Sequence, residues 1–136
     1  DGVNDVINDI DKDLKELDYN IKKNLKTRVY EATDIIKRVL AQNKNKSKKE
    51  LIKIVADILN VIRYEKNGDG YYFMYDYSTN ILYAHAIKSF IGRDMTHFKD
   101  AKGKYITKSN QKIIEKNGEG YDEIYFFKPS HPSKSV

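Results

Sequence analysis

The feature that most constrains the fold is a stripe of apolar side chains along the first forty residues. Their spacing alternates almost regularly between four and three residues, which keeps them on one face of a single long helix. The members of this stripe are Val3, Ile7, Ile10, Leu14, Leu17, Ile21, Leu25, Val29, Ala32, Ile36 and Val39. An ordinary core helix would explain the second half of the stripe but not the first, because about 40 residues at 1.5 Å each reach roughly 60 Å. Residues 1–42 are therefore predicted to form a stalk, and residues 3–28 to pair in parallel with a second copy in a homodimer.

The rest of the chain, residues 43–136, reads as one α+β domain. Ser47 and Glu50 have the spacing of a capping box, so a second helix is expected from there to about Arg63. The period then changes to that of strands, with glycine-containing turns before two of them. In chain order we expect a strand at 71–77, a turn at 78–80, a strand at 81–87, a tight turn at 99–103, a helix at 109–115 and a strand at 121–128. This order predicts a PAS-like antiparallel sheet packed against the long N-terminal helix.

Several short segments of the sequence are not distinctive one by one, but their order and spacing together are. They are Ile62-Arg63-Tyr64, Gly70 to Asp76, Ala84-His85, Gly92-Arg93-Asp94, Lys99 to Lys104, Gly118 to Tyr121 and Phe127-Lys128-Pro129. Together, over about residues 29–129, they resemble the single Cache family of bacterial sensor domains. The resemblance implies a Cache fold in the extracytoplasmic, periplasmic part of a cell inner membrane protein, such as a methyl-accepting chemotaxis protein or a sensor kinase. It also implies a small organic anion, in particular a short-chain carboxylate, as the ligand.

The chain departs from the family pattern at three places. Ala86 stands where the family usually has proline, and Ile124 replaces a usual aromatic residue. The family continues after Lys-Pro into two more strands, whereas this sequence ends at Val136, so the sheet is expected to lack its last strands. The sequence begins with Asp1 and contains no apolar run near the roughly 20 residues that span a bilayer. Membrane-tethering segments are therefore expected outside this sequence.

Seven residues are candidates for ligand binding. Strand alternation puts Tyr71, Phe73 and Tyr75 on one face, which matches the aromatic pocket positions that the resemblance implies. The rings could equally be plain core packing. His85 matches the family's histidine and could donate one bond to a carboxylate, or it could be a structural residue. A fifth candidate is Phe126, which shares the parity of Lys128 on the last strand.

Two cations could hold the charge of an anionic ligand. Arg63 closes the second helix, and its guanidinium can form paired bonds with a carboxylate. The alternative is a surface ion pair with a neighbour such as Glu65. Lys128 could supply a second positive charge, or it could be a solvated lysine.

Composition excludes several other classes of protein. The sequence contains no cysteine, so disulfides and thiolate metal sites are absent, and no cofactor or metal is expected. No nucleophile, base and acid grouping and no phosphate-binding loop is visible, so the chain is not expected to be an enzyme. The net charge of +5 allows a basic nucleic-acid-binding helical protein, but that alternative leaves the aromatic strands unexplained, and no nucleic-acid partner is expected. A Cache sensor for an amino acid or another small ligand is the other alternative.

Overall fold

The computed structural model describes residues 2–135, with side chains described for residues 2–130. The chain divides into two compact units, residues 1–44 and 45–136. The first contains helix α1 (Gly2–Gln42). The second contains α2 (Lys48–Val61), β1 (Arg63–Tyr64), β2 (Gly70–Tyr71), β3 (Met74–Tyr75), β4 (Leu82–Ala84), α3 (Ile106–Asn117), β5 (Phe127–Lys128) and β6 (His131–Ser135). The strands pair in antiparallel fashion as β1–β2, β3–β4 and β5–β6, so the predicted α+β fold is confirmed.

Helix α1 is continuous over the predicted range, and its apolar stripe is exposed from Val3 to Val29. Leu14 and Leu17 are 58% and 56% exposed, close to the values for their neighbours in the stripe. Lys22 and Asp18, one turn apart, form an ion pair of 3.1 Å, and such surface pairs contribute only a few tenths of a kcal/mol. The helix is thus regular without burying the first half of its apolar face.

Helix α2 starts where the capping pattern predicts it. The Ser47 hydroxyl accepts a hydrogen bond from the Glu50 amide at 3.2 Å, which satisfies one free amide of the first turn. The helix ends at Val61, slightly before the predicted end, and Arg63 instead begins β1. The apolar face of α2 packs against β4. The buried residues of these two elements are Val55, Ala56, Leu59, Leu82 and Ala84.

The aromatic run 71–77 is not one strand, so that prediction is wrong in its extent. Its first part, β2, pairs with β1, whereas β3 pairs with β4. Because the two pieces have different partners, the chain leaves one ladder and joins another between them. The turn before β4 is as predicted: Asp76 accepts hydrogen bonds from the amides of Ser78 and Thr79, and Asn80 adopts a left-handed φ of 63°.

Residues 121–126, predicted to be a strand, have no regular secondary structure; only Phe127–Lys128 forms one. The cause is a competing set of partners. The Tyr125 amide donates to the Asp100 carboxylate at 3.1 Å, and the Tyr125 carbonyl accepts from the Ala101 amide at 2.8 Å. The predicted tight turn is present, because the Gly103 amide donates to the Asp100 carbonyl at 3.1 Å. Helix α3 begins at Ile106, three residues earlier than the predicted start.

Candidate functional site

A small cavity lies within the second unit, between β2–β4, α3 and the irregular segment 120–126. Its volume is about 40 Å³, far below the roughly 150 Å³ of an apolar cavity that binds benzene. The residues that line it are Tyr71, Phe73, Tyr75, Leu82, His85, Met95, Phe98, Ile106, Thr107, Asn110, Ile124 and Phe126. The wall is therefore mostly apolar, with hydroxyl, amide and imidazole groups among the rings.

Five of the seven predicted site residues come together around this cavity. Tyr71, Phe73, Tyr75, His85 and Phe126 all line it, whereas Arg63 and Lys128 are outside the lining described here. The Arg63 side chain is exposed and donates to the carbonyls of Gly68 and Ala86, both at 3.3 Å.

His85 is buried and makes three hydrogen bonds that fix its position. Its backbone amide donates to the side-chain oxygen of Asn60 on α2, at 3.0 Å. Its ring nitrogen Nδ1 accepts from the Ile87 amide at 2.9 Å, and Nε2 lies 3.2 Å from the Tyr71 hydroxyl. The imidazole is thus held between a backbone donor on one side and a phenol on the other.

Aromatic rings surround His85 and set its charge state. The ring centroids of Tyr71, Phe90 and Phe126 lie 4.8, 5.3 and 6.0 Å from that of His85. Burial among these rings, together with the positive charge of Arg63, lowers the pKa of His85 from 6.5 to about 4. The imidazole is therefore neutral at physiological pH.

The two tyrosine hydroxyls of the cavity are also neutral and differ in their partners. Burial raises the pKa of Tyr71 to about 12, although nearby Arg63 opposes the shift. Burial also raises the pKa of Tyr75. The Tyr75 hydroxyl is buried and has no hydrogen-bond partner among the described residues. Leaving a polar atom buried and unpaired costs about 1–3 kcal/mol, which makes this oxygen the outstanding polar feature of the cavity.

The segment 120–126 closes one wall of the cavity through Ile124 and Phe126. Polar side chains hold it in place. One carboxylate oxygen of Asp122 contacts the Lys104 ammonium, and the other accepts from the Asn110 amide at 2.7 Å. Burial acts to raise the pKa of Asp122, but the bonds from Lys104, Ser109 and Asn110 outweigh it and leave this pKa below its usual value.

Sequence reasoning missed the lining residues of α3. Ile106, Thr107 and Asn110 follow helical spacing and so share a face. The predicted helix begins at residue 109, so it leaves out Ile106 and Thr107, whereas Asn110 lies inside it without any feature that marks a lining residue. The Thr107 hydroxyl donates to the Met95 carbonyl at 3.0 Å and connects α3 to the loop before it.

Neither a metal centre nor a membrane span is found in the described part of the chain. Residues 2–130 contain no cluster of three or more His, Asp or Glu side chains that could hold a metal ion. No helix in the described residues is both long and apolar enough to cross a bilayer.

Similarity to known proteins agrees with this architecture. A family model described as Cache domain matches residues 1–136. The crystal structure of a methyl-accepting chemotaxis protein from Vibrio parahaemolyticus is 31% identical, with a TM-score of 0.71, over 88% of this chain and 76% of that one. A periplasmic sensor domain of a chemotaxis protein shares the fold at 19% identity and a TM-score of 0.65, over 82% of this chain and 75% of that one. No curated protein gives a match. Because the family model spans the whole sequence, the chain belongs to the Cache domain family.

Proposed function

We propose that this Cache domain is the extracytoplasmic ligand-sensing part of a bacterial chemotaxis receptor and that it binds a short-chain carboxylate. The similar solved structures come from chemotaxis proteins, and one of them is a periplasmic sensor domain. A sensing role needs only binding that differs between two conformations, without turnover. That requirement agrees with a site built from neutral polar groups and rings.

The observation that carries the proposal is the Tyr75 hydroxyl, buried in the cavity wall without a partner in the described structure. A ligand that accepts a hydrogen bond there removes the cost of the unpaired group. A carboxylate suits this role, since both of its oxygens accept hydrogen bonds and neither requires an acceptor from the protein. The Tyr71 hydroxyl is a second neutral group on the same cavity.

The composition of the lining also supports a carboxylate rather than an amine or an amino acid. An ammonium group needs acceptors, preferably carboxylates, but the described lining contains neither Asp nor Glu. An amino acid would therefore bring a charge that this wall leaves unpaired. The volume of about 40 Å³ further favours a ligand of few heavy atoms over a bulky one.

Arg63 would act on the ligand's charge electrostatically, without lining the cavity. Its guanidinium carbon lies 6.0 Å from the centroid of the Tyr71 ring, so its field favours an anion in the cavity. We expect Arg63→Ala to weaken carboxylate binding, and Lys108→Ala, a lysine that does not line the cavity, to leave it unchanged. Direct contact of Arg63 or Lys128 with the ligand remains a prediction.

The exposed stripe of α1 supports the proposed homodimer. Parallel pairing of two such helices would bury the apolar side chains of residues 3–28. It would also bring two receptor chains together next to the membrane segments that we expect to tether them.

A thermal-shift screen of the chain against small acids tests the proposal. At a hundredfold excess over its dissociation constant, a ligand adds about 2.7 kcal/mol of stability. Acetate, propionate, pyruvate and lactate are the acids to compare with methylamine, glycine and alanine. If the amines or amino acids stabilise the chain and the acids do not, the carboxylate assignment is wrong.

Matched tyrosine variants then locate the site. Tyr75→Phe removes the unpaired hydroxyl and should weaken carboxylate binding roughly tenfold, which corresponds to about 1.4 kcal/mol. Tyr77→Phe is the control, because Tyr77 is exposed and its hydroxyl donates to Glu115 instead. Equal affinities of the two variants would place the ligand elsewhere.

A further inference from the structure

The hydrogen bonds of His85 determine which of its two ring nitrogens carries the proton. The Ile87 amide can only donate, so Nδ1, 2.9 Å away, must accept and therefore carries no proton. A neutral imidazole has one N–H, which must then be on Nε2. Nε2 lies 3.2 Å from the Tyr71 oxygen, so the ring donates and the phenol oxygen accepts.

This direction leaves the hydroxyl proton of Tyr71 for another acceptor. Both Tyr71 and His85 line the cavity, and the Tyr75 hydroxyl is buried in its wall. We infer that His85 is a tautomer-locked positioning residue, which accepts from Ile87 and donates to Tyr71 so that Tyr71 and Tyr75 together present two hydroxyl protons to the ligand. The inference deepens the proposed function and rests on it, because it assigns the ligand's acceptor atoms to two phenols and none to a charged histidine.

The surroundings of His85 keep it in this state. Among the described residues, the titratable and charged groups that interact with it are Tyr71 from β2 and Arg63 from β1, and Tyr75 from β3 lines the same cavity. The rings of Phe73, Phe90 and Phe126 complete its shell. Protonating Nδ1 would set two donors against each other at Ile87, and no described carboxylate lines the cavity to stabilise the cation. Asn60 anchors the backbone of His85 from α2, and the bonds of Nδ1 to Ile87 and of Nε2 to Tyr71 hold the ring itself.

The state of the ring can be read without any ligand. Long-range proton–nitrogen NMR of the labelled chain, residues 1–136, distinguishes the two tautomers and the cation, and a His85→Gln sample assigns the signal among the three histidines. We expect Nε2 protonated and Nδ1 unprotonated at both pH 7 and pH 6. A proton on Nδ1 at either pH would overturn the inference, whether or not a carboxylate binds.

A double-mutant cycle with acetate tests the positioning role itself. We expect His85→Leu to weaken acetate binding roughly fivefold when Tyr71 is present and less than about twofold in the Tyr71→Phe background, because residues that act through one another are not additive. Additive losses would mean that His85 contacts the ligand directly.

Acetate affinity should also be constant from pH 6 to 8. A rise in affinity on acidification, by up to about tenfold per pH unit, would mean that His85 takes up a proton and would contradict the locked tautomer. If the chain binds no carboxylate, the proposed function fails, while the NMR result alone decides the tautomer.

Discussion

Helices α1 and α2 carry the same kind of amphipathic pattern, but their apolar faces are buried to different extents. Both repeat apolar residues at helical spacing, yet α2 buries Val55 and Leu59, whereas Leu14 and Leu17 of α1 are more than half exposed. The difference shows that a helical stripe predicts a helix reliably but does not by itself identify what covers it. In α2 the covering surface is β4 of the same unit. For α1 we propose a second copy of the chain.

The largest expected contrast is between core truncations in the two helices. Leu59→Ala should destabilise the chain by about 2–5 kcal/mol, because Leu59 is only 6% exposed and its loss leaves a cavity. Leu17→Ala should change stability by less than about 0.5 kcal/mol in dilute protein. Urea unfolding at low protein concentration measures both. Similar losses for the two variants would erase the distinction between the helices.

Self-association gives the next effect in size. We expect the chain to dimerise as protein and salt concentrations rise, since salt screens repulsion between the acidic residues of the first twenty. Leu17→Asp should weaken this association at least about tenfold, or about 1.4 kcal/mol. Asn8→Asp adds the same charge away from the apolar stripe and should weaken it less. Analytical ultracentrifugation that finds a strict monomer at high protein and salt concentrations would refute pairing through α1.

The pH dependence of stability should originate in the second unit. The folded pKa of His85 lies below its ordinary value of 6.5, so its contribution is complete above pH 6.5 and is lost as the pH falls towards 4. We expect the melting temperature to drop by roughly a few degrees across this window. His85→Gln should flatten the profile, and His97→Gln, at an exposed position, should preserve it. A profile that His85→Gln leaves unchanged would assign the dependence to other groups.

The smallest effect concerns Tyr75 in the ligand-free chain. Because its hydroxyl is buried without a partner in the described structure, Tyr75→Phe should leave stability unchanged or raise it by up to about 1 kcal/mol. Thermal unfolding without ligand measures this difference. A clear destabilisation would indicate that the hydroxyl is already satisfied, for example by water.

Periodicity and capping made the helices predictable, because both depend on local sequence. The start of α2 followed from Ser47 and Glu50, and α1 followed from its stripe. The extent of the strands was not predictable in this way. Whether residues 121–126 join a ladder is decided by Asp100, more than twenty residues away in the sequence. The aromatic side of the cavity could be predicted from strand alternation, but Ile106 and Thr107 could not, because an error of one turn at the start of α3 placed them outside the predicted helix.

The irregular cavity wall formed by residues 120–126 has a consequence for the rate at which a ligand would dissociate. A wall built from a paired strand opens only when several ladder bonds break together, whereas this one is held largely by side chains such as Asp100 and Asn110. We expect such a wall to exchange its amide protons faster than β3 and β4 do. In the proposed site, the rate at which a ligand leaves would then depend on Asp122 and its partners, while Tyr71 and Tyr75 would determine which ligand fits. A cell that compares ligand concentrations from one moment to the next depends on this dissociation rate, because a ligand that stays bound too long signals a concentration that has already changed.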